Sequence, residues 1–235
     1  MSLYSAIQFT SVSFLYASAS NLGDFQFLFI DLALILPIAI FMSWAGPYPE
    51  LSRKRPTADL VSRKVLTPLL GQMCICIIIQ AVAFILVRKQ PWFIPPKLKH
   101  DKSNIKNSEN TALFLTSCFE YILSGVVLNA GRPFRQKAID NWPFVAMISV
   151  ALLVTLDLVL GPVKWVSRLM QLTFISWDFK LVIIGLGVLY FVLAYIGEHY
   201  VFQRLARIIG HVTTSITKKT KKRKEYKIIQ EKMLF

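Results

Sequence analysis

Apolar residues run in six long blocks, about 2–19, 22–44, 65–87, 110–129, 142–161 and 178–202, separated by segments rich in proline, asparagine and charge. An α-helix rises about 1.5 Å per residue and needs about 20 mostly apolar residues to cross the hydrocarbon core. The six blocks therefore predict six transmembrane helices, the first and fourth only just long enough. The interruptions carry loop chemistry: "AGPYPELSRKRPTADLVSRK" holds three prolines and five basic residues, and "RKQPWFIPPKLKHDKSNIKNSEN" is Pro-rich and then polar. No internal repeat is visible. The predicted fold is all-α, a polytopic membrane helix bundle over residues 1–202 followed by a basic tail over 203–235. In that tail Val201, Leu205, Ile208, Ile209, Val212 and Ile216 recur at helical spacing, which reads as an amphipathic juxtamembrane helix. "KKTKKRKEYK" then forms a polybasic cluster able to meet anionic lipid; the plainer reading is a solvated anchor on the positive side of the membrane.

Composition supports the same class. Hydrophobic residues make up 54% of the 235 and charged residues 17%, against about 25% charged in soluble domains. The formal net charge of +14 would suggest nucleic acid in a soluble protein. Here the charges lie between and after apolar spans, so the partner is the lipid bilayer rather than nucleic acid. If the chain alternates sides, the loops 45–64 and 130–141 and the tail hold 18 Lys and Arg, and the other side holds nine. The richer side is expected in the cytosol, together with residue 1 and the carboxyl end. The segment 88–109 sits awkwardly with this, because it places six basic residues on the far side. Its length weakens their vote. No basic residue precedes Arg53, so the amino end lacks the positive region of a secretory signal. Cys74, Cys76 and Cys118 all lie in apolar runs and read as packing residues. Cys74 and Cys76 point about 200° apart on a helix, and the three histidines form no metal cluster.

The informative residues are the polar ones inside the spans. Between Phe25 and Phe41 stand twelve Leu, Ile or Phe residues, together favouring insertion by about 4 to 7 kcal/mol. A central aspartate costs about 2.5 to 3.5 kcal/mol. Asp31 is central in this block and Asp24 lies nearer its edge, so the pair cancels much of the gain. Seven residues make two helical turns less about 20°, which puts Asp24 and Asp31 on one face, about 10.5 Å apart along the axis. Asn21 and Leu28 share that stripe. The first block offers Tyr4, Gln8, Ser11 and Ser18 at spacings near three and four. A turn of two or three residues makes these two helices antiparallel neighbours, so the stripes are expected to face one another and line a path. Intramembrane carboxylates commonly mark ion or substrate routes, and hydrogen bonding between helices is the structural alternative. Pro37 removes a donor and is expected to kink the helix or free carbonyls beside the carboxylates.

Other buried acids carry less. Glu120, beside Tyr121, reads equally as part of the path and as a packed glutamate. Asp157 is expected to face water, and Glu198 to snorkel or pair with Arg204. The chain contains no G-x-x-x-x-G-K-[ST] and no H-E-x-x-H sequence. It has no Ser-His-Asp candidate set and no soluble stretch long enough for a catalytic domain, so alone it is not expected to be an enzyme.

"LYSAIQFTSVSFLYASASNLGDFQFLFIDL" resembles the fifth and sixth spans of P-type ATPases of the fifth class, subgroup B, the endolysosomal or vacuolar polyamine-exporting pumps. "QPWFIPP", "NSENTALFLTSCFEYI", "GRPFRQ" and "DFKLVIIGLGVLYF" are similar to the seventh to tenth spans of the same group. The resemblance covers essentially the whole chain, and "NLGDFQFLFIDL" is its most specific part. It implies the last six of ten core helices. The D-K-T-G phosphorylation motif, the T-G-E loop and the fourth span are not in this sequence. The resemblance thus implies a carboxyl-terminal fragment of a pump, with the amino-terminal half as its missing partner. No cofactor is expected on the fragment, whereas ATP and Mg serve the full-length pump. The substrate implied is a polyamine, and the location a vacuolar, lysosomal or endosomal membrane. The family's substrate-pathway positions match Tyr4, Gln8, Asp24 and Asp31, with Asn21 and Phe27 beside them as lining residues. Polyamine chemistry suits such a set, because carboxylates neutralise ammonium groups and aromatic faces accept them. Two alternatives are a stand-alone regulatory or assembly subunit and, less well supported for want of an inverted repeat, a proton-coupled secondary transporter.

Overall fold

The computed structural model describes residues 2–49, 62–96, 105–129 and 135–216. The polybasic cluster and the middles of the first two long loops lie outside the described residues. The helices are α1 (Ser2–Ala17), α2 (Asp24–Ser43), α3 (Arg63–Arg88), α4 (Ser108–Val127), α5 (Trp142–Leu160), a short α6 (Lys164–Leu169), α7 (Trp177–Ile196) and α8 (Phe202–Ile216). Helices α2, α3, α4, α5 and the helix that begins as α7 are long and apolar enough to cross a membrane. Six such helices were expected; α1, with 16 residues, is shorter than the roughly 20 a span requires. Ala19 adopts φ 54°, and the amides of Ala19 and Ser20 donate back to Tyr16 and Leu15 carbonyls at 3.0 and 2.9 Å. This left-handed closure satisfies the orphan carbonyls and stops the helix inside the apolar block.

Helix α2 is continuous but not uniform. Asp24–Leu28 is α-helical, Phe29–Ile35 widens to a π-helix, and Leu36–Ser43 returns to α. Pro37 explains the change: it has no N–H, and its ring crowds the carbonyl four residues earlier. Widening the preceding turn relieves that crowding, and the Leu36 amide bonds the Asp31 carbonyl instead. The disturbance expected from Pro37 is thus a π stretch, and Asp31 sits inside it.

The helices assemble around α4. Every residue from Ser108 to Ile122 is buried, and α4 touches α1, α2, α3, α5 and α7. It is also the least apolar of the long helices. Lipid tails solvate Leu and Ile as well as a protein core does, so the polar helix belongs inside, where its side chains find partners.

Contacts at the two ends establish that the chain alternates sides. On the basic side the Gln136 amide donates to Gly46 O at 3.0 Å, and Asn141 Nδ2 to Phe41 O at 2.7 Å. On the opposite side Arg88 Nε meets Glu109 Oε1 at 2.7 Å. One of the six far-side basic residues is therefore neutralised by an almost fully buried carboxylate, which eases the tension in the charge count. Lys180 donates to Leu160 O at 2.6 Å, placing a cation at the carbonyl end of α5. Asp157 is exposed in the last turn of that helix, while Cys76 and Cys118 are buried and Cys74 is exposed.

The last helix does not stop at residue 202. A π stretch, Gly197–Val201, links α7 to α8, which lies against α3. Phe202 and Ala206 are buried, while Leu205, Ile208 and Ile209 face outward. Glu198 does not pair with Arg204, which is exposed; six residues place two groups about 240° apart on an α-helix. Gln72 Nε2 reaches Glu198 Oε2 at 3.5 Å and Ala194 O at 3.1 Å.

Phe202 seats its ring in a notch between Gly71 of α3 and Gly197. A Cβ at Gly71 would stand 2.3 Å from the ring. Gly71→Ala is expected to destabilise the α3–α8 contact by about 1–3 kcal/mol, as overpacking does, and Phe202→Leu in the same chain to recover part of the loss. Thermal unfolding in detergent measures both, and an unchanged midpoint for Gly71→Ala contradicts the packing described.

Candidate functional site: a groove between α1 and α2

Helix α1 rests on α3 and α4, while α2 rests on α4 and α5. The two neighbours therefore flank α4 with a gap between them. Across that gap the Tyr4 hydroxyl donates to Asp31 Oδ1, a contact that also shows α1 and α2 to be antiparallel. Gln8, one turn along α1, reaches the same hydroxyl.

Two clefts open at this bridge. The inner one, about 350 Å³, is lined by Leu3, Tyr4, Ile38, Tyr121, Ser124 and Arg135 among others. The outer one, about 390 Å³, includes Tyr4, Asp31, Leu36 and Ile40. Tyr4, Ile35, Ala39 and Ser43 border both. The Tyr4 ring leans on Tyr121 with centroids 5.6 Å apart. Among the described residues Asp31 is the one carboxylate lining either cleft, and Arg135 closes the inner cleft on the basic side.

Of the six residues singled out in the sequence, Tyr4, Gln8 and Asp31 come together here. Asp24 and Asp31 are both exposed, on a stripe shared with Leu28, Leu32, Leu36 and Ile40. Asp24 is the first residue of α2, where a carboxylate also complements the helix dipole, so its position has a structural reason as well. Phe27 is half-buried against the core. Asn21 is exposed, but its side chain accepts from the Leu22 amide at 2.9 Å and its carbonyl from Asn110 Nδ2 at 2.6 Å, so it shapes the α1–α2 turn. Ser11, expected on the same stripe as Tyr4, turns the other way. It is buried and donates to Gln80 Oε1 at 2.9 Å. Its seven-residue spacing from Tyr4 does not outweigh the pull of a buried amide on α3.

Ser11, Gln80 and Glu120 form a sealed polar chain in the bundle centre. Gln80 Nε2 donates to Glu120 Oε2 at 2.7 Å, and Glu120 is fully buried. It lines neither cleft. Of its two readings from sequence, the geometry favours the packed glutamate.

A polar knot on the side opposite the basic loops was not anticipated. Gln26 is fully buried. Its Oε1 accepts from the Gly23 amide at 2.9 Å, and its Nε2 donates to Asn110 Oδ1 at 2.7 Å and Met170 O at 2.9 Å. Asn107 caps α4 through the Asn110 amide and donates to Ser20 Oγ at 2.6 Å. Thr111 and Thr173 meet at 2.9 Å. The knot joins the α1–α2 turn, the start of α4 and the segment after α6, and so sets the spacing at which α1 and α2 leave their turn. Two local signals for it were present: an asparagine three residues before another at the head of an apolar run, and a glutamine at the third position of α2. Among the described residues no three His, Cys, Asp or Glu converge on a metal position.

Residues 20–199 match the family described as "Cation transporting ATPase, C-terminus". The chain belongs to this family. It is 41% identical over 239 residues to the vacuolar cation-transporting ATPase YPK9 of Saccharomyces cerevisiae, covering 99% of this chain and 15% of that protein. It is 38% identical over 206 residues to the human polyamine-transporting ATPase 13A2, covering 87% of this chain and 18% of that protein. Against the human polyamine-transporting ATPase 13A3 the identity is 35% over 202 residues, covering 77% of this chain and 16% of the relative. The chain thus spans less than a fifth of the length of each of these relatives and matches their carboxyl-terminal membrane domain. The likeness to P-type ATPases of the fifth class drawn from the sequence holds, and the chain is a multi-pass membrane segment of that family.

Placing Glu120 in the sealed chain has a measurable consequence. Glu120→Gln keeps an acceptor for Gln80 and is expected to change stability by less than about 1 kcal/mol, whereas Glu120→Ala strands the buried amide and costs about 1–3 kcal/mol. Unfolding midpoints in detergent distinguish the two; a large loss for Glu120→Gln contradicts the assignment.

Proposed function

We propose that this chain supplies the carboxyl-terminal membrane portion of an ATP-driven polyamine transporter. In this reading the α1–α2 groove forms part of the substrate pathway. ATP and Mg act on catalytic domains encoded by the longer relatives and not contained in this sequence. The observation that carries the proposal is Asp31: a carboxylate in the middle of an otherwise apolar span, exposed in a cleft and met by a tyrosine hydroxyl. A group that costs about 2.5–3.5 kcal/mol at the centre of a membrane helix is retained where its charge is used.

A polyamine carries several ammonium groups on a flexible methylene chain. Asp31 and Asp24, about 10.5 Å apart by helical rise, engage different ammonium groups of one extended molecule. Tyr4 and Phe27 offer aromatic faces to them, while Gln8 and Asn21 border the route. Leu28, which lies between the two carboxylates on the same stripe, suits the methylene spacers. The relatives' names include a vacuolar cation transporter and polyamine transporters, which supports a vacuolar or lysosomal membrane and this substrate class. The excess of Lys and Arg on the side of loops 45–64 and 130–141 supports a cytosolic carboxyl end, where the basic tail meets anionic lipid.

In the full-length transporter that contains this sequence, Asp31→Asn is expected to raise the spermine concentration for half-maximal ATPase stimulation roughly tenfold, the scale of losing a hydrogen-bonded charge partner. Asp24→Asn, at the exposed start of α2, is expected to raise it less. Spermine-stimulated ATPase activity in detergent or vesicles checks both, and unchanged stimulation in the two variants rejects the pathway.

A further inference from the structure

Tyr4 belongs to both clefts at once, and its position suggests more than a lining role. Its hydroxyl occupies one oxygen of Asp31, which lines the outer cleft and is the one carboxylate of either cleft among the described residues. Its ring stands with Ile35, Ala39 and Ser43 in the wall that separates the two spaces. A hydroxyl and an ammonium are both donors, and they seek the same lone pairs on a carboxylate. While Tyr4 donates to Asp31, an ammonium arriving from the outer cleft meets a partly satisfied acceptor and a closed wall.

The inner cleft is built differently from the outer. It contains no carboxylate among its lining residues and ends at Arg135, whose charge opposes an ammonium. What it does offer is Tyr121. That ring lies 5.6 Å from Tyr4, and its buried hydroxyl has no hydrogen-bond partner among the described residues. An aromatic face with a vacant hydroxyl is a weak, neutral resting place for an ammonium. It suits a cation that is passing through and not one that is stored.

Resting on the polyamine reading above, we propose that Tyr4 is a gate. Its hydroxyl competes with the substrate's ammonium for Asp31, and displacing it opens the outer cleft towards Tyr121 and the inner one. The Tyr4 hydroxyl is then a positioning group that opposes binding, opposite in sign to a ligand hydroxyl, while the ring keeps its place along the route.

The two roles differ in sign. In the full-length transporter Tyr4→Phe keeps the ring and removes only the competing donor. A gate predicts that the spermine concentration for half-maximal ATPase stimulation falls, by up to roughly tenfold for a hydrogen bond to a charged group. It also predicts that this gain vanishes in the double variant with Asp31→Asn, because the competition has one target. A concentration that rises or stays unchanged in Tyr4→Phe, with Asp31→Asn still impaired, overturns the gate and leaves the pathway standing. A gain that survives in the double variant also overturns it, since Tyr4 then acts elsewhere. If Asp31→Asn itself has no effect, the gate fails, and if Asp24→Asn has none either, the pathway fails with it. Direct binding of radiolabelled spermine to the same variants separates affinity from turnover.

Discussion

The burial of α4 organises everything else. A helix bearing Ser108, Glu109, Asn110, Thr111, Thr116, Ser117 and Glu120 cannot face lipid, because no water is present there to hydrogen-bond those groups. It therefore draws other helices around itself, and they supply partners for several of these groups. Arg88 comes from α3 to Glu109, Gln26 from α2 to Asn110, Gln80 from α3 to Glu120, and Thr173 from the segment after α6 to Thr111. The partners come from α2, α3 and the segment after α6, so satisfying α4 fixes where those elements stand. The exposed Leu, Ile and Val of the surrounding helices then meet lipid at no cost.

The groove follows from this arrangement. Helices α1 and α2 are joined by a short turn, yet each answers primarily to α4 and to the helix on its own flank. The polar knot at Ser20, Gln26, Asn107 and Asn110 holds them together at one end. Farther along, the Tyr4 hydroxyl reaches across to Asp31. The π stretch contributes here, because Asp31 lies inside it and its carbonyl takes the Leu36 amide. Pro37 thus acts one turn away from its own position, through the hydrogen-bonding pattern it forbids.

Several of these features were legible in the residue pattern. The insertion cost of Asp31 set it apart without any neighbour in view, and Pro37 predicted a disturbed turn beside it. The apolar blocks marked the long helices, since length and hydropathy are properties of a single segment. The failures share one cause. Ser11 looked like a member of the Tyr4 stripe, but its partner is Gln80, 69 residues away. Glu120 stood undecided because its two readings differ only in what surrounds it. Gln26 stands in an apolar run, and its bonds to Asn110 and Met170 span 84 and 144 residues of chain. The first helix ended early because Ala19 took a left-handed conformation that its residue type does not advertise.

By itself the sequence determined that the chain is a bundle of long apolar helices, that two carboxylates would ride on one of them, and which family the whole belongs to. Those are matters of local free energy: the transfer of each side chain and the helical rise between positions. The tertiary structure alone decided that α4 is the centre, that α1 and α2 part around it, and that Tyr4 spans the gap to Asp31 while Glu120 is sealed away. Those depend on partners far apart in the chain. A buried polar group is indifferent to sequence distance and takes whichever partner the packed helices bring within about 3 Å.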